Sequence, residues 1–304
     1  MTIPRTALIT GATGYIGSRL AGRLLADGWR VRVLTRDAAG LEGRRWAEEV
    51  EVVEGDAQDV ATLDRAAAGV DVAWFLIHSM DAAHAFEDRD RTIATRFGRA
   101  CRTAGVGRIV YLGGLHPADG TLSPHLDSRR EVGRILLASG VPTTVLQAGI
   151  VVGAGSVSYE LLRQATERLP VVVGPDWLER QIQPIGVDDA LHYLVAVADL
   201  PPESSRAFDI GGADAMSYRA LIDVYAEVAG LRPRVIVTLP VLLPRTTALW
   251  AGILAPVSTP LASSLIASLM VDMVCEERDL DELVEPPPGG PATFREAVVM
   301  ARAE

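Results

Sequence analysis

Lysine and asparagine are absent from this chain of 304 residues, and cysteine is scarce. All 29 basic residues are therefore arginines, so no lysine can serve as a general acid, a Schiff-base former or an ammonium partner. The two cysteines, Cys101 and Cys275, lie far apart in apolar stretches, which predicts reduced thiols rather than a disulfide framework. The net charge of −10 argues against a nucleic-acid partner, because phosphate binding requires clustered positive charge.

Two further kinds of signal are missing. The N-terminus has no basic segment followed by an apolar run and a cleavage site, so we expect no signal peptide and a cytoplasmic protein. His84, His116 and His192 have no cysteine or acidic neighbours at metal-ligand spacing. The sequence therefore predicts no metal site.

Charge is also absent from one long stretch, Thr246–Val271, which is long enough to span a membrane. Pro256 and Pro260 interrupt this stretch, and seven serine and threonine residues dilute it. We therefore expect a buried or partner-facing helical pair and no transmembrane span. An apolar lid over a substrate and shallow peripheral membrane contact both stay open, as does a homodimer.

Short apolar runs alternate with amphipathic stretches through the first half of the chain. The runs that predict strands are 7–10, 31–34, 50–53, 72–77, 108–112 and 143–147. The stretches that predict helices are 15–27, 59–68, 88–104 and 129–138. Because the strands are almost wholly apolar, they should be buried on both faces. The pattern predicts an α/β fold of Rossmann type, a doubly wound parallel sheet with helices on both sides.

The alternation weakens after about residue 150. Strands are still predicted at 171–173 and 207–210, and a helix at 217–229. We expect a small, discontinuous C-terminal substrate lobe over the carboxyl edge of the sheet. The predicted division is a dinucleotide-binding domain over 1–200, with part of the lobe from about 150, and the rest of the lobe over 201–304.

The strongest motif is a glycine loop between the first strand and the first helix. Its sequence is Thr10-Gly11-Ala12-Thr13-Gly14-Tyr15-Ile16-Gly17. Glycines at this spacing permit a tight turn, close approach of the backbone to a pyrophosphate, and close packing of helix on sheet. The N-terminus of the following helix presents free N–H groups to the phosphates. The loop therefore predicts a dinucleotide site.

The loop resembles that of the short-chain dehydrogenase/reductase superfamily, and most closely its extended and atypical branches. The segments Phe75-Leu76-Ile77-His78-Ser79-Met80 and Tyr111-Leu112-Gly113-Gly114-Leu115 resemble the NmrA-like, NAD(P)H-binding group. Pro184–Asp189 and Phe208–Gly212 also resemble segments of this superfamily, so the resemblance covers most of the chain. It implies an adenine contact at Asp56 and cofactor contacts at Thr13, Tyr15, Ile16, Ala57, Leu76, His78, Ser79 and Gly113, besides the loop glycines.

The end of the second strand bears on the choice of nucleotide. A carboxylate there holds the ribose hydroxyls of NAD, whereas a cation there holds the 2′-phosphate of NADP. The sequence is Thr35-Arg36-Asp37, which aligns Thr35 with the carboxylate position and Arg36 with the phosphate-binding position. NADP(H) is therefore the expected cofactor. A shift of one residue would place Asp37 there instead, so NAD(H) stays open.

The resemblance also shows which residues this chain lacks. Active members of the superfamily resemble one another in a serine after the fifth strand and a Tyr-x-x-x-Lys on the next helix. Here the serine is absent, His125 stands in place of the tyrosine, and Arg129 in place of the lysine. His125 is either a substitute proton donor or a structural residue, and Arg129 either holds the ribose or is structural. Tyr159 is a further candidate for the substrate pocket, and a place in the core or on the surface stays open for it.

Two functions remain. The first is an NADP(H)-dependent oxidoreductase of the atypical short-chain type, which transfers hydride to a small apolar carbonyl, quinone or imine without the usual Ser/Tyr/Lys set. The second is a non-catalytic NADP(H) sensor or assembly factor that acts through a protein partner. A nucleotide-sugar epimerase requires the missing tyrosine and lysine and is disfavoured.

Overall fold

The computed structural model describes residues 4–77, 86–117, 122–239 and 270–304. Seven parallel strands form the main sheet, in the order β11-β6-β5-β4-β1-β2-β3. Their bounds are β1 Thr6–Thr10, β2 Arg30–Thr35, β3 Glu51–Glu54, β4 Val72–Phe75, β5 Arg108–Gly114, β6 Thr143–Ala148 and β11 Ala207–Ile210. The chain starts in the middle of the sheet, builds one half through β3, and then crosses to the other side of β1 to build the second half.

Helices connect the strands and cover both faces of the sheet. Their bounds are α1 Tyr15–Ala26, α2 Val60–Ala67, α3 Phe86–Ala104, α4 Pro124–Leu137, α5 Val157–Arg168, α6 Val187–Ala196, α7 Tyr218–Val228, α8 Leu280–Leu283 and α9 Phe294–Ala303. The predicted α/β class and the doubly wound parallel sheet are confirmed.

Two apolar layers lie on opposite faces of this sheet. On one face, α1 and α6 pack over Val33 and Trp74, and the indole of Trp74 donates a hydrogen bond to the Leu194 carbonyl at 2.9 Å. On the other face, α2, α3 and α4 cover Phe75 and Tyr111. The apolar runs seen in the sequence thus reflect strands that are buried on both sides.

A third apolar cluster lies outside the sheet, around Tyr159, Leu221 and Tyr225. It contains α5, α7 and α9 together with short pairs of strands: β7 Val151–Val152 with β10 Ile185–Gly186, β9 Gln181–Ile182 with β12 Met216–Ser217, and β8 Val171–Pro175 with β13 Val235–Leu239. This is the region in which the sequence predicted a discontinuous lobe.

The main sheet also takes in a strand from the second predicted segment. β11 follows the predicted boundary at residue 200, yet it pairs in parallel with β6, with Phe208 opposite Leu146. Residues 246–269 of the uncharged stretch lie outside the described residues. Within the described ranges, no helix is long and apolar enough to cross a membrane.

Candidate functional site

The glycine loop is held by contacts that exclude side chains at two of its glycines. Gly11 has a positive φ of 76°, and a Cβ there would lie 2.6 Å from the Leu76 carbonyl oxygen. A Cβ on Gly17 would lie 2.3 Å from the Gly11 carbonyl oxygen. The loop therefore folds directly on the end of β4 and on the first turn of α1, as a dinucleotide loop requires.

The N-terminus of α1 opens towards this loop. Gly14 is the N-cap residue, and no side chain caps the helix. The N–H of Gly14 donates to the Gly11 carbonyl at 3.0 Å, which tightens the turn. An uncapped helix N-terminus offers N–H groups and the positive end of the helix dipole to an anion.

A cavity of about 460 Å³ lies beside the loop, at the carboxyl ends of β1, β2 and β4. Its described lining residues are Gly11, Thr13, Gly14, Leu34, Thr35, Arg36, Asp37, Gly40, Gly55, Asp56, Ala57, Leu76, Ile77, Arg89 and Ile93. Ligands of open α/β sheets bind at this edge, where the strand order reverses. The cavity has the position and the lining that a dinucleotide needs.

Arg36 and Asp37 differ in how their charges are used. The Asp37 carboxylate accepts a hydrogen bond from the Ala39 N–H at 2.9 Å and caps a short 3₁₀ helix, Ala38–Leu41. Arg36 is exposed, lines the cavity and makes no hydrogen bond or ion pair with any described residue. The cation at the end of β2 is thus available to a phosphate, while the carboxylate next to it, which also lines the cavity, has one oxygen engaged by a backbone N–H.

Asp56 also lines the cavity, two residues after the end of β3. Its carboxylate accepts a hydrogen bond from the Gln58 N–H at 2.8 Å, which forms a tight turn at the cavity rim. Ala57 is buried next to it. The predicted adenine contact thus lies at the cavity, together with its neighbour Ala57.

Seven of the predicted cofactor residues line this cavity: Gly11, Thr13, Gly14, Arg36, Asp56, Ala57 and Leu76. Four others do not. The Tyr15 hydroxyl lies against Gly153, Ile16 packs against the α1 side of the core, Gly17 contacts Gly11, and Gly113 lines a second cavity. His78 and Ser79 lie outside the described residues.

Some cavity residues were missed from the sequence. Arg89 and Ile93 lie on α3, far from the loop in sequence, and line the same cavity. Arg44 stabilises the loop, because it donates hydrogen bonds to the Thr13 carbonyl at 2.7 Å and to the Ser18 hydroxyl. No motif indicated Arg89 and Ile93, because they come from a different part of the sequence from the loop.

His125 and Arg129, which stand in place of the superfamily's tyrosine and lysine, lie on the first turns of α4. His125 is 6% exposed and follows Pro124, the first residue of the helix. One turn later, Arg129 donates to the Leu112 carbonyl at 2.9 Å, near the end of β5, and Tyr111 donates to the Arg129 carbonyl at 3.2 Å. Arg129 thus fixes α4 to β5. His125 lines neither described cavity.

Tyr159 differs from the expectation that it faces a substrate pocket. Its side chain is 1% exposed in the third apolar cluster, and its ring meets that of Tyr225 edge-on at 6.1 Å. Burial raises the pKa of its hydroxyl. It lines neither described cavity, because α5 turns this residue into the core of the lobe.

The second cavity, of about 300 Å³, lies between α4 and the ends of β5 and β6. Arg129, Gly113 and Gly114 form part of its wall. Gln147 Nε2 lies 2.8 Å from His116 Nε2, and His116 Nδ1 lies 3.1 Å from the Pro117 carbonyl. If Nδ1–H donates to that carbonyl, Nε2 accepts from the glutamine and the imidazole is neutral. Among the described residues, no group of three potential metal ligands occurs.

Comparison with known proteins agrees with this geometry. The family model described as NAD(P)H-binding matches residues 11–170, which span the loop, the cavity and α4. A ceramide reductase of Caulobacter vibrioides is 30% identical over 232 residues, covering 75% of this chain and 72% of that protein. A (4-alkanoyl-5-oxo-2,5-dihydrofuran-3-yl)methyl phosphate reductase of Streptomyces griseus is 36% identical over 141 residues, covering 46% of each.

Among solved structures, the triphenylmethane reductase of a Citrobacter species in complex with NADP(H) shares the fold. Its TM-score is 0.75 at 18% identity, with 97% of this chain and 99% of that chain covered. Together these relatives support an NAD(P)H-dependent oxidoreductase. The chain belongs to the NAD(P)H-binding family, and the predicted place among the atypical short-chain dehydrogenases/reductases is confirmed.

Proposed function

We propose that this chain is an NADPH-dependent reductase of a small apolar carbonyl, quinone or imine, which works without the Ser/Tyr/Lys set. The observation that carries the proposal is the contrast at the end of β2. Arg36 faces the cavity without a described partner, whereas Asp37 is engaged at the Ala39 N–H. A free guanidinium can bind the 2′-phosphate bidentately, which favours NADPH over NADH.

The residues of the loop bind and orient the dinucleotide in this proposal. Gly11 and Gly14 allow the backbone to approach the pyrophosphate, and the N-terminus of α1 stabilises its charge. Asp56 and Ala57 lie where the adenine half would bind. The bound cofactor supplies the hydride, and the protein supplies its position and surroundings.

Proton transfer is the step that the missing tyrosine leaves open. We assign the proton to His125, because an imidazole can act as general acid towards a developing alkoxide. The Arg129 guanidinium donates to the Leu112 carbonyl, so it positions the helix turn that carries His125. We assign no step to Tyr159, since it is buried in the core of the lobe.

The second candidate is a protein that binds NADPH without reducing a substrate. It is favoured by one observation, the use of Arg129. Where the superfamily has a lysine beside the tyrosine, this chain has an arginine whose guanidinium donates to the Leu112 carbonyl. A group used in this way serves to hold the fold together, whatever the cofactor does.

NADPH oxidation in the presence of quinones, imines and apolar ketones tests these two candidates. We expect the wild-type protein to oxidise NADPH with at least one of these classes. His125→Phe should lower kcat by about 10²-fold, because general acid catalysis contributes about that much. His192→Phe is the matched control, since His192 lies on α6 and contacts the Glu285 carbonyl.

Two other results of this assay would contradict parts of the proposal. An unchanged kcat in His125→Phe contradicts the role of His125 as proton donor, but not the reductase. A protein that binds NADPH tightly and reduces none of the acceptors contradicts the reductase and supports the second candidate.

A further inference from the structure

The strand pair β8–β13 carries an apolar face that is open to solvent. Val171 is 46% exposed, Val173 40%, Val235 57% and Val237 39%. Val171 pairs with Val235 and Val173 with Val237, so the four side chains form two adjacent cross-strand pairs. We refer to these four residues as the valine face.

The opposite side of the same two strands is already buried. Val172 is 8% exposed, and both Val172 and Ile236 pack in the third apolar cluster. A strand pair with one face on a core ordinarily presents polar residues on its other face. Four neighbouring valines on that outer face therefore indicate a surface that meets something apolar.

Arginines lie at one end of the valine face. Arg168 precedes β8, and Arg232 and Arg234 precede β13, so all three lie at the start of the two parallel strands. Arg232 is exposed and makes no hydrogen bond or ion pair with any described residue, while Arg234 donates to the Thr166 carbonyl at 2.7 Å. The far end is different, because Glu179 lies there and is paired with Arg219 at 2.7 Å.

An apolar face with cations at its rim matches the chemistry of peripheral lipid binding. Apolar side chains enter the acyl boundary, and arginines reach the anionic headgroups.

We propose that the valine face docks this protein on an anionic lipid surface, with Arg232 towards the headgroups. This proposal is independent of the reductase activity. Docking would bring the dinucleotide-binding chain to apolar molecules held in a bilayer.

Sedimentation of the full-length protein with vesicles tests the proposal. The two vesicle types are pure phosphatidylcholine and phosphatidylcholine mixed with phosphatidylglycerol. The test variant is Val171→Glu/Val235→Arg, which makes the face polar and places opposite charges directly across the strands, where they support the pairing. The matched control is Val299→Glu/Met300→Arg, which makes the same change at two exposed apolar residues of α9.

We expect the wild-type protein and the control to bind the mixed vesicles and to bind phosphatidylcholine much more weakly. The test variant should bind the mixed vesicles at least about tenfold less, since burial of two valines contributes that much. Arg232→Ala, which removes no described contact, should weaken binding about fivefold and should lower its dependence on salt. NADPH affinity should be the same in all four proteins.

Three outcomes overturn the proposal. The first is a wild-type protein that binds neither vesicle. The second is equal loss in the test and control variants. The third is a wild-type protein with the mass of a dimer that becomes a monomer in the test variant, because the occupant of the valine face would then be a second copy of the chain.

Discussion

The hydroxyl of Thr10 accepts a hydrogen bond from the backbone N–H of Leu76 at 3.1 Å. The same hydroxyl donates to the Trp74 carbonyl at 3.2 Å, and Thr10 is wholly buried. A side chain at the end of β1 thus completes the pairing of β1 with β4 at the point where both strands reach the cavity. Leu76 is also the residue against which Gly11 packs, so Thr10 holds the support of the glycine loop.

We predict that Thr10→Val destabilises the protein and weakens NADPH binding. Valine has nearly the same shape but leaves the Leu76 N–H without its acceptor, which costs about 1–3 kcal/mol. Urea unfolding measures the stability, and calorimetric titration measures the affinity. Thr10→Ser keeps the hydroxyl and should lose much less. Equal stability of the valine variant and the wild-type protein would contradict the role given to this hydroxyl.

Gly17→Ala should weaken cofactor binding without unfolding the chain. The new Cβ would lie 2.3 Å from the Gly11 carbonyl oxygen, so the loop has to move away from α1. We expect NADPH affinity to fall more than about tenfold, because the loop backbone must approach the pyrophosphate closely.

Gly28→Ala is the control. Gly28 has a positive φ of 82°, but an added Cβ there meets nothing within 4 Å. That variant should lose about 1–2 kcal/mol of stability and no affinity. The prediction fails if both variants bind NADPH equally well.

Asp209 should make the protein less stable as the pH rises. Burial raises the pKa of its carboxyl above the usual value, and the nearby carboxylates of Glu277 and Glu276 raise it further, although the Glu276 N–H opposes this by donating to Asp209 Oδ2 at 2.9 Å. The folded chain thus holds this proton more tightly than the unfolded chain does. The resulting stabilisation is present below the unfolded pKa of about 3.9 and is lost as the pH rises through the folded value.

Asp209→Asn removes this dependence, since the amide oxygen can still accept from Glu276 and carries no charge. We expect the Tm at neutral pH to rise by on the order of 1–2 °C, and the gain to vanish near pH 3–4. Thermal unfolding followed by circular dichroism at both pH values measures it. Asp64→Asn, at an exposed position on α2, should show no such difference. A variant that is less stable than the wild-type protein at neutral pH would reverse the sign of the argument.

Both cysteines should be inert in the native protein. Burial raises the pKa of the Cys101 and Cys275 thiols to about 12, so almost no thiolate exists at neutral pH. Titration with a thiol reagent should give two equivalents in denaturant and far fewer without it. Cys275, which is less buried than Cys101, should be the first to react, and Cys275→Ser should remove that phase. Fast native reaction of either thiol would contradict the structure.

Much of the sheet could be predicted because its strands are apolar on both sides. The run at 72–77, for example, corresponds to β4, all of whose residues are buried. The glycine loop was equally clear, because its spacing is dictated by close backbone approach. The position of β11 was not, since its partner β6 lies about sixty residues earlier and no periodicity encodes such a pairing.

The sequence also did not show which single side chains are buried and which are held by hydrogen bonds. Val171–Val173 is a run of identical residues, and only the structure shows that its middle member faces a core while the outer two face solvent. Nothing in the sequence distinguished Tyr159 as a core residue, because α5 carries other apolar residues that could equally have formed its buried face. The capping of the Ala39 N–H by Asp37, on which the choice of nucleotide depends, is likewise a local hydrogen bond that a motif does not reveal.

Calorimetric titration with NADPH and with NADH, on the wild-type protein and on Arg36→Ala, tests the central claim most directly. We predict that the wild-type protein binds NADPH at least about tenfold more tightly than NADH, since charge-assisted bonds to the 2′-phosphate contribute about 1.5–3 kcal/mol. Arg36→Ala should remove this preference and leave NADH binding unchanged. Arg30→Ala, an exposed arginine at the start of the same strand, should leave both affinities as they are. Equal weakening of both nucleotides in Arg36→Ala would contradict the assignment of Arg36, and absence of binding to either nucleotide in the wild-type protein would contradict the account as a whole.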